Sequence, residues 1–343
     1  MESPLLALPD AVPAQGQDAG VAAHYGDPFA EQRALAQGAG LVDRSHRGVV
    51  RISGPDRLTW LNDLTTQLVK DVGPDTTVQT LILSPNGHVQ HHLTLTDDGE
   101  AVWAHVEPGT APELLAFLES MRFMLRVEPA DVSDQYAVLT LAGPTTPPTT
   151  GLAAIMRGSG PGADLIVERD RLAQIAAGLR QGGATMAGMW AYEALRIAGH
   201  QPRLGLDTDH RTIPHEVGWI ETAVHLNKGC YRGQETVARV HNLGHPPRRL
   251  VFLHLDGSGD QLPAHGDPVE FGGAQVGFTG SAARHYELGP IALALVKRTV
   301  PVDVPLLAGG VDASQEVIVP PDTGANVKET LRRTGADKLR APR

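Results

Sequence analysis

The sequence predicts an α+β protein built on antiparallel sheets, followed by a small C-terminal β-barrel. Two patterns carry that expectation. In the first half, strand-like alternation is joined by short turns and hairpins rather than by regular crossover helices, which argues against a doubly wound parallel sheet. After Arg248 the chain breaks into short strands separated by turn residues, the spacing of a small barrel or sandwich.

The elements follow in order. Met1 to Gly20 is rich in Ala, Gln, Gly and Pro and lacks a basic secretory n-region, so residues 1–20 read as a disordered leader. The main α+β region is expected over 21–247. Gly48 to Ser53 alternates as a strand, and Gly54-Pro55-Asp56 turns into a helix over Arg57 to Leu68. Val78 to Leu83 and His88 to Leu95 form a hairpin across Ser84-Pro85-Asn86-Gly87, with Asn-Gly as the turn signal. A strand over Ala101 to Val106, a helix over Pro112 to Met124 and a strand over Tyr136 to Ala142 come next. Pro, Thr and Gly then dominate 143–162, which reads as a linker or long loop that divides the region into two subdomains.

Beyond it lie a strand over Ala163 to Glu168, a helix over Arg171 to Leu179 capped by Asp170, and a helix over Met189 to Ala198 stopped by Gly199. The barrel is expected over 248–322, with strands at Leu250 to Leu255, Asp267 to Phe271, Gln275 to Ser281 and Ile291 to Val296. A basic tail occupies 323–343 and reads as a solvated terminus.

Composition excludes several classes. At 343 residues, 41% hydrophobic and 20% charged, the chain is long enough for two or three domains with ordinary cores. No run approaches the roughly 18 apolar residues that span a bilayer. A formal net charge of -10 argues against a broad nucleic-acid surface. A single cysteine excludes an internal disulfide and suits a reducing cytoplasm. Neither a phosphate-binding G-x-x-x-x-G-K-[ST] loop nor a strand-linked G-x-G-x-x-G occurs.

That cysteine lies in the densest chemical run of the chain, Lys228-Gly229-Cys230-Tyr231-Arg232-Gly233-Gln234-Glu235. Lys228 and Arg232 flank Cys230, and nearby cations favour thiolate over thiol. The alternative is a strand-to-turn segment with Cys230 as a small buried apolar residue. His88, His91 and His92 suggest a metal, but strand geometry opposes it. His91 and His92 face opposite ways, and His88 and His92 stand about 13 Å apart.

The run, continued by Thr236-Val237-Ala238-Arg239, resembles the signature of the YgfZ-type folate-binding proteins. These are related to the aminomethyltransferase (T-protein) of glycine cleavage and implicated in maintaining iron-sulfur enzymes. Ala191 to Gly199 and Gly289 to Ala294 extend the resemblance, which covers about Gly40 to Pro301. It implies a T-protein-type folate-binding region that binds tetrahydrofolate or a derivative. Cys230 and Lys228 become the candidate functional pair, with Asn62, Glu193, Lys228, Gly229, Tyr231, Gly233, Gln234, Glu235 and Arg239 as folate-contacting residues. Arg239, Arg248 and Arg249 either serve an anionic folate tail or are ordinary surface arginines.

Two positions depart from the family pattern. A carboxylate of the family's hairpin is replaced by Gln90-His91-His92, and a glutamate that would face the pterin is replaced by Ala198. Glu193, one turn earlier, either takes over pterin recognition or is a solvated helix residue. Asn62 likewise contacts a pterin or is satisfied locally. The implied function is tetrahydrofolate binding in support of iron-sulfur cluster assembly or repair in client enzymes, possible tRNA-modifying ones among them. Folate and iron-sulfur client or assembly proteins would be the partners. The alternatives are a folate-dependent aminomethyltransferase and an adaptor in which the run merely shapes a turn. A [4Fe-4S] cluster usually takes four thiolates, and one cysteine cannot hold it alone. No resident metal is therefore expected.

Overall fold

The computed structural model describes residues 2–73, 76–145, 147, 149, 154–156 and 162–325. Among them run α1 (Pro28–Gln37), α2 (Arg57–Leu64), α3 (Ala111–Ser120), α4 (Leu172–Gln181), α5 (Met189–Ala198), α6 (Trp219–Thr222) and α7 (Gln234–Leu243). One five-stranded sheet is antiparallel throughout, in the order Thr77–Leu83, Val89–Asp97, Ala101–Val106, Gly48–Ser53, Glu128–Asp131. A second runs Ala154–Met156, Ala163–Glu168, Tyr136–Ala142, Gly40–Asp43, Thr185–Ala187, and only its last pair is parallel. The barrel closes through six strands, from Arg248–Leu255 round to Val311–Val317. The α+β class with antiparallel sheets and a C-terminal barrel is therefore the observed architecture.

Apolar alternation explains why each element docks where it does. In the first sheet Val50, Ile52, Leu93, Leu95, Val102 and Ala104 pack against Leu114 and Leu118 of α3 and Trp60 of α2. A separate cluster joins Leu81, Leu83 and Val89 of the hairpin to Ile197 of α5, Trp219, Tyr231 and the barrel residues Leu250, Phe252 and Leu293. This cluster ties hairpin, signature run and barrel into one core.

Several sequence expectations are corrected. The leader expected over residues 1–20 is folded: Ala11–Pro13 pairs with Ala22–Tyr25, and the Ser3 hydroxyl bonds the Asp43 carboxylate. The helix expected over Arg57 to Leu68 ends at Leu64, because the backbone turns extended at Thr65, whose hydroxyl donates to the Leu61 carbonyl at 2.8 Å. Asp170 does not cap α4: it lies inside a short 3-10 turn, Arg169–Arg171, and the helix begins at Leu172. The signature is not a strand; its last two residues, Gln234 and Glu235, begin α7. In the stretch 143–162 the short strand Ala154–Met156 pairs with Ala163–Glu168, and residues 146, 148, 150–153 and 157–161 lie outside the described residues. The tail expected over 323–343 also lies outside them beyond Ala325.

Candidate functional site

Where the first sheet, α5 and the barrel meet, a chamber of about 350 Å³ opens. The hairpin supplies Gln79, His92 and Thr94, and the neighbouring strand supplies His105 and Glu107. A 3-10 turn and α6 add His215, Trp219 and Glu221, while Ile318 to Pro320 come from the end of the barrel. His92 bonds Gln79 at 3.1 Å and stacks on Trp219 with ring centroids 4.5 Å apart. His91 faces the other way and is buried, as strand alternation requires.

Paired charges form the chamber's deep wall. Arg203 donates to Glu107 at 2.8 Å, to Glu193 at 2.8 Å and to Asp18 at 2.9 Å. Arg196 bonds Glu193 and, at 3.0 Å, Asp207. Arg47 bonds the remaining Glu107 oxygen at 2.9 Å, and Arg44 bonds Asp164 at 2.8 Å. Burial pushes the Glu107 carboxyl up, but the Arg203 and Arg47 guanidiniums outweigh it and hold it well below the ordinary range. Burial also opposes the Arg203 charge, and Glu107, Glu193 and Asp18 outweigh it in turn. Both members of the network stay ionised.

The imidazoles behave oppositely. Burial pushes His92 down to about 4 against a pull from Glu107. Burial and Arg47 push His105 down to about 4 against Asp164. Burial, with His241, does the same to His215. All three are neutral at pH 7. Neither ring nitrogen of His215 has a partner among the described residues. A buried polar group left unpaired costs stability, so the wall offers a hydrogen-bonding position for a ligand.

The signature run does something different from what its charges suggest. Lys228 does not face Cys230. Its ammonium donates to the carbonyls of Asn62, Thr65 (2.5 Å) and Gln67 (2.8 Å) at the C-terminal end of α2. Burial pushes Lys228 down to about 8, with Asp63 pulling upward. The Arg232 guanidinium lies 5.6 Å from the Phe117 ring centroid. Gly233 has φ +82°, and a Cβ there would sit 2.7 Å from the Ser84 carbonyl oxygen of the hairpin turn. Gly87, at φ +80°, would likewise strike Thr236 at 2.7 Å. Only glycine at both positions lets the two turns interlock.

Tyr231 is buried in the shared core, and burial pushes its phenol up to about 12. Gln234 reaches back to the Lys228 carbonyl at 3.5 Å. Gly229, Cys230, Glu235 and Arg239 are exposed.

The residues of the expected cleft, Asn62, Glu193 and 228–235, are not gathered around this chamber. Asn62 and Lys228 do meet, but none of these residues lines the chamber. Asn62 is satisfied locally, accepting from the Val69 amide at 3.3 Å. Glu193 lies behind the wall as the partner of Arg196 and Arg203. Arg248 is spent on Asp209 and Glu216, and Arg249 is fully buried against Gln315 and the Val300 carbonyl. Reasoning from sequence missed His105 and Glu107, two polar residues on one face of an otherwise apolar strand, Ala101–Val106 and its exit. That spacing was the available signal. Nothing local marked Arg203.

The antiparallel sheets and the closed C-terminal barrel give the chain a GCVT-like α+β fold. A family model described as the GCVT N-terminal domain matches residues 24–149. The chain is 28% identical over 300 residues to the aminomethyltransferase of Rubrobacter xylanophilus, covering 79% of this chain and 80% of that protein. It is 26% identical over 239 residues to the mitochondrial iron-sulfur cluster assembly factor IBA57 homolog of Mycosarcoma maydis, covering 64% and 58%. The crystal structure of the glycine cleavage system aminomethyltransferase T from Bartonella henselae superposes with a TM-score of 0.76 at 18% identity, over 92% of this chain and 95% of that one. The fold is that of the aminomethyltransferases.

Proposed function

We propose that this chain binds tetrahydrofolate, or a derivative, and supports assembly or repair of iron-sulfur clusters in client enzymes without transferring aminomethyl groups. The observation that carries the reading is the state of the chamber wall. Its arginines are neutralised by carboxylates, and Glu107 has both oxygens committed to guanidiniums. Such a wall can hold a neutral polar heterocycle but offers little acid-base chemistry. His215 supplies the unpaired hydrogen-bonding atoms and Trp219 an aromatic face, which together fit a pterin-like ring. The IBA57 homolog among the relatives supports a cluster-related role, and aminomethyltransferases stand among those relatives as well.

A cluster would be cargo. The exposed Cys230 gives one thiolate ligand, so a cluster would be held transiently, with an assembly or client protein or a second copy. Cytoplasmic residence is the proposed setting, where a lone exposed thiol stays reduced. Calorimetry with tetrahydrofolate tests the ligand. Saturable binding weakened at least fivefold by Trp219→Ala is expected, and absence of heat at millimolar folate would remove the proposal. Restoration of iron-sulfur enzyme activity in a deletion strain tests the role.

A further inference from the structure

A second cavity, of about 540 Å³, lies outside the chamber where α1, the start of α5 and the long barrel strand Ala274–His285 converge. Its walls are mainly apolar, with Phe29, Trp190, Leu206, Leu262 and Pro263 among the lining residues. Phe29 is 42% and Trp190 57% exposed, and both line this one concavity, where neighbouring exposed apolar groups mark an interaction surface. Both therefore stand open at a concave site.

The site is braced. His24 stacks on Trp190 with centroids 5.0 Å apart, holding the indole in place. The buried Gln32 donates its amide to the Arg284 carbonyl at 2.9 Å and accepts from the Tyr286 amide at 2.9 Å. That pair of bonds fixes α1 to the barrel across 252 positions of sequence. Polar groups on the floor already have partners. Asp18 and Glu193 bond Arg203, and Ser281 bonds Asp207 and Arg196. An apolar ligand body would thus strand no buried polar atom.

Charge enters at Arg284 and His265, which also line the cavity. One Nη of Arg284 donates to the Asp260 carbonyl and lies 3.7 Å from the exposed Asp260 carboxylate, and His265 is exposed. The acids on the floor are neutralised by arginines, so an incoming anion would compete only with the exposed Asp260 carboxylate for Arg284.

We propose that this cavity is a second ligand site, for a small aromatic acid whose rings lie against Trp190 and Phe29 and whose acid group meets Arg284. Its volume lies within the range of small-molecule pockets, roughly 300–1,000 Å³. It is separated from the chamber by the Arg203–Glu193–Asp18 ion pairs, so the two sites should fill independently.

The probes are 8-anilinonaphthalene-1-sulfonate and its uncharged counterpart N-phenyl-1-naphthylamine, titrated into the full chain with dye fluorescence as readout. One saturable sulfonate site is expected. Arg284→Gln should weaken the sulfonate at least fivefold and the neutral dye less than twofold. A Phe29→Ala, Trp190→Ala double variant should weaken both at least tenfold, and Trp219→Ala should change neither. Thermal midpoints of each variant identify any that fail to fold. Sulfonate binding that survives both the Arg284 and the aromatic changes, or that is lost with Trp219→Ala, overturns the proposal. So does equal weakening of the two dyes by Arg284→Gln.

Discussion

Lys228 closes the end of α2 by donating to the Thr65 carbonyl at 2.5 Å, across 163 positions of sequence. The same ammonium reaches Gln67, whose side chain donates to the Thr222 carbonyl at 3.3 Å. Through these contacts the signature run holds α6, and α6 carries Trp219 into the chamber. Unsatisfied helix carbonyls and the negative end of the helix dipole both favour a cation there. Lys228→Met should therefore lower stability by about 1–3 kcal/mol, the typical cost of leaving buried acceptors unpaired. Folate binding should weaken as well, although Lys228 does not line the chamber. Denaturant unfolding and calorimetry measure the two effects, and a variant with unchanged stability would refute the capping role.

Arg203 makes the strongest claim on the fold. It touches Asp18, Glu107 and Glu193, and its loss would leave one buried and two partly buried carboxylates short of a partner. Breaking a buried pair from one side typically costs about 3–5 kcal/mol. Arg203→Leu should therefore be severely destabilised, or insoluble. Arg203→Lys should recover only part of the loss, because an ammonium cannot fork between carboxylates as a guanidinium does. Comparable thermal midpoints for all three proteins would contradict this.

His215 couples stability to binding in opposite senses. Its folded pKa is pushed down to about 4, below the ordinary value near 6.5. Between pH 6.5 and 4 the unfolded chain takes up a proton that the folded chain resists, so stability falls as the solution is acidified through that window. His92 and His105, also pushed down to about 4, act in the same direction. His215→Leu removes an unpaired buried imidazole. It should raise the thermal midpoint at pH 5 more than at pH 7.5 while weakening folate binding. A midpoint that falls at both pH values would show that His215 has a partner in the folded protein.

Much of this architecture was legible in the sequence. Where one face of a strand is apolar and turn chemistry is strong, as in Val89–Asp97 beyond Asn86-Gly87, the element appears close to where it was expected. Met189–Ala198 was legible because Gly199 marks its end. The first twenty residues were misread because their order comes from tertiary pairing: Val12 lies opposite His24, and composition carries no trace of that. The candidate site was legible as a motif but not as a geometry. Charges adjacent in sequence to Cys230 proved to serve Thr65 and Phe117, contacts more than a hundred residues away.

Cys230 is exposed, and no disulfide involves it. Cys230→Ser should therefore change stability by no more than about 0.5 kcal/mol, as surface substitutions usually do. It should leave tetrahydrofolate binding intact. The native protein should react with one equivalent of a thiol reagent without denaturant. If the thiol carries the cluster-related role, the serine variant should bind folate normally yet fail to restore iron-sulfur enzyme activity in a deletion strain. Full rescue by Cys230→Ser would remove the thiol from the function while leaving the proposed folate binding untouched.

Aminomethyl transfer should be absent or very slow. General acid-base help typically contributes about 10²–10⁴-fold and works best when the group's pKa lies near the working pH. At the hairpin, His92 faces the chamber, and burial has lowered its basicity to a pKa of about 4. Glu107 is saturated by Arg47 and Arg203, so using it as a base would mean breaking two buried ion pairs. Glu221, the other carboxylate lining the chamber, belongs to α6 and is exposed. His92→Asp would bring a carboxylate back to the hairpin. With an aminomethyl-lipoyl carrier protein as donor, methylenetetrahydrofolate formation should be negligible for the unaltered chain and higher for His92→Asp. Turnover by the unaltered chain equal to that of a glycine-cleavage aminomethyltransferase would overturn the argument from the wall's paired charges and, with it, the proposed function.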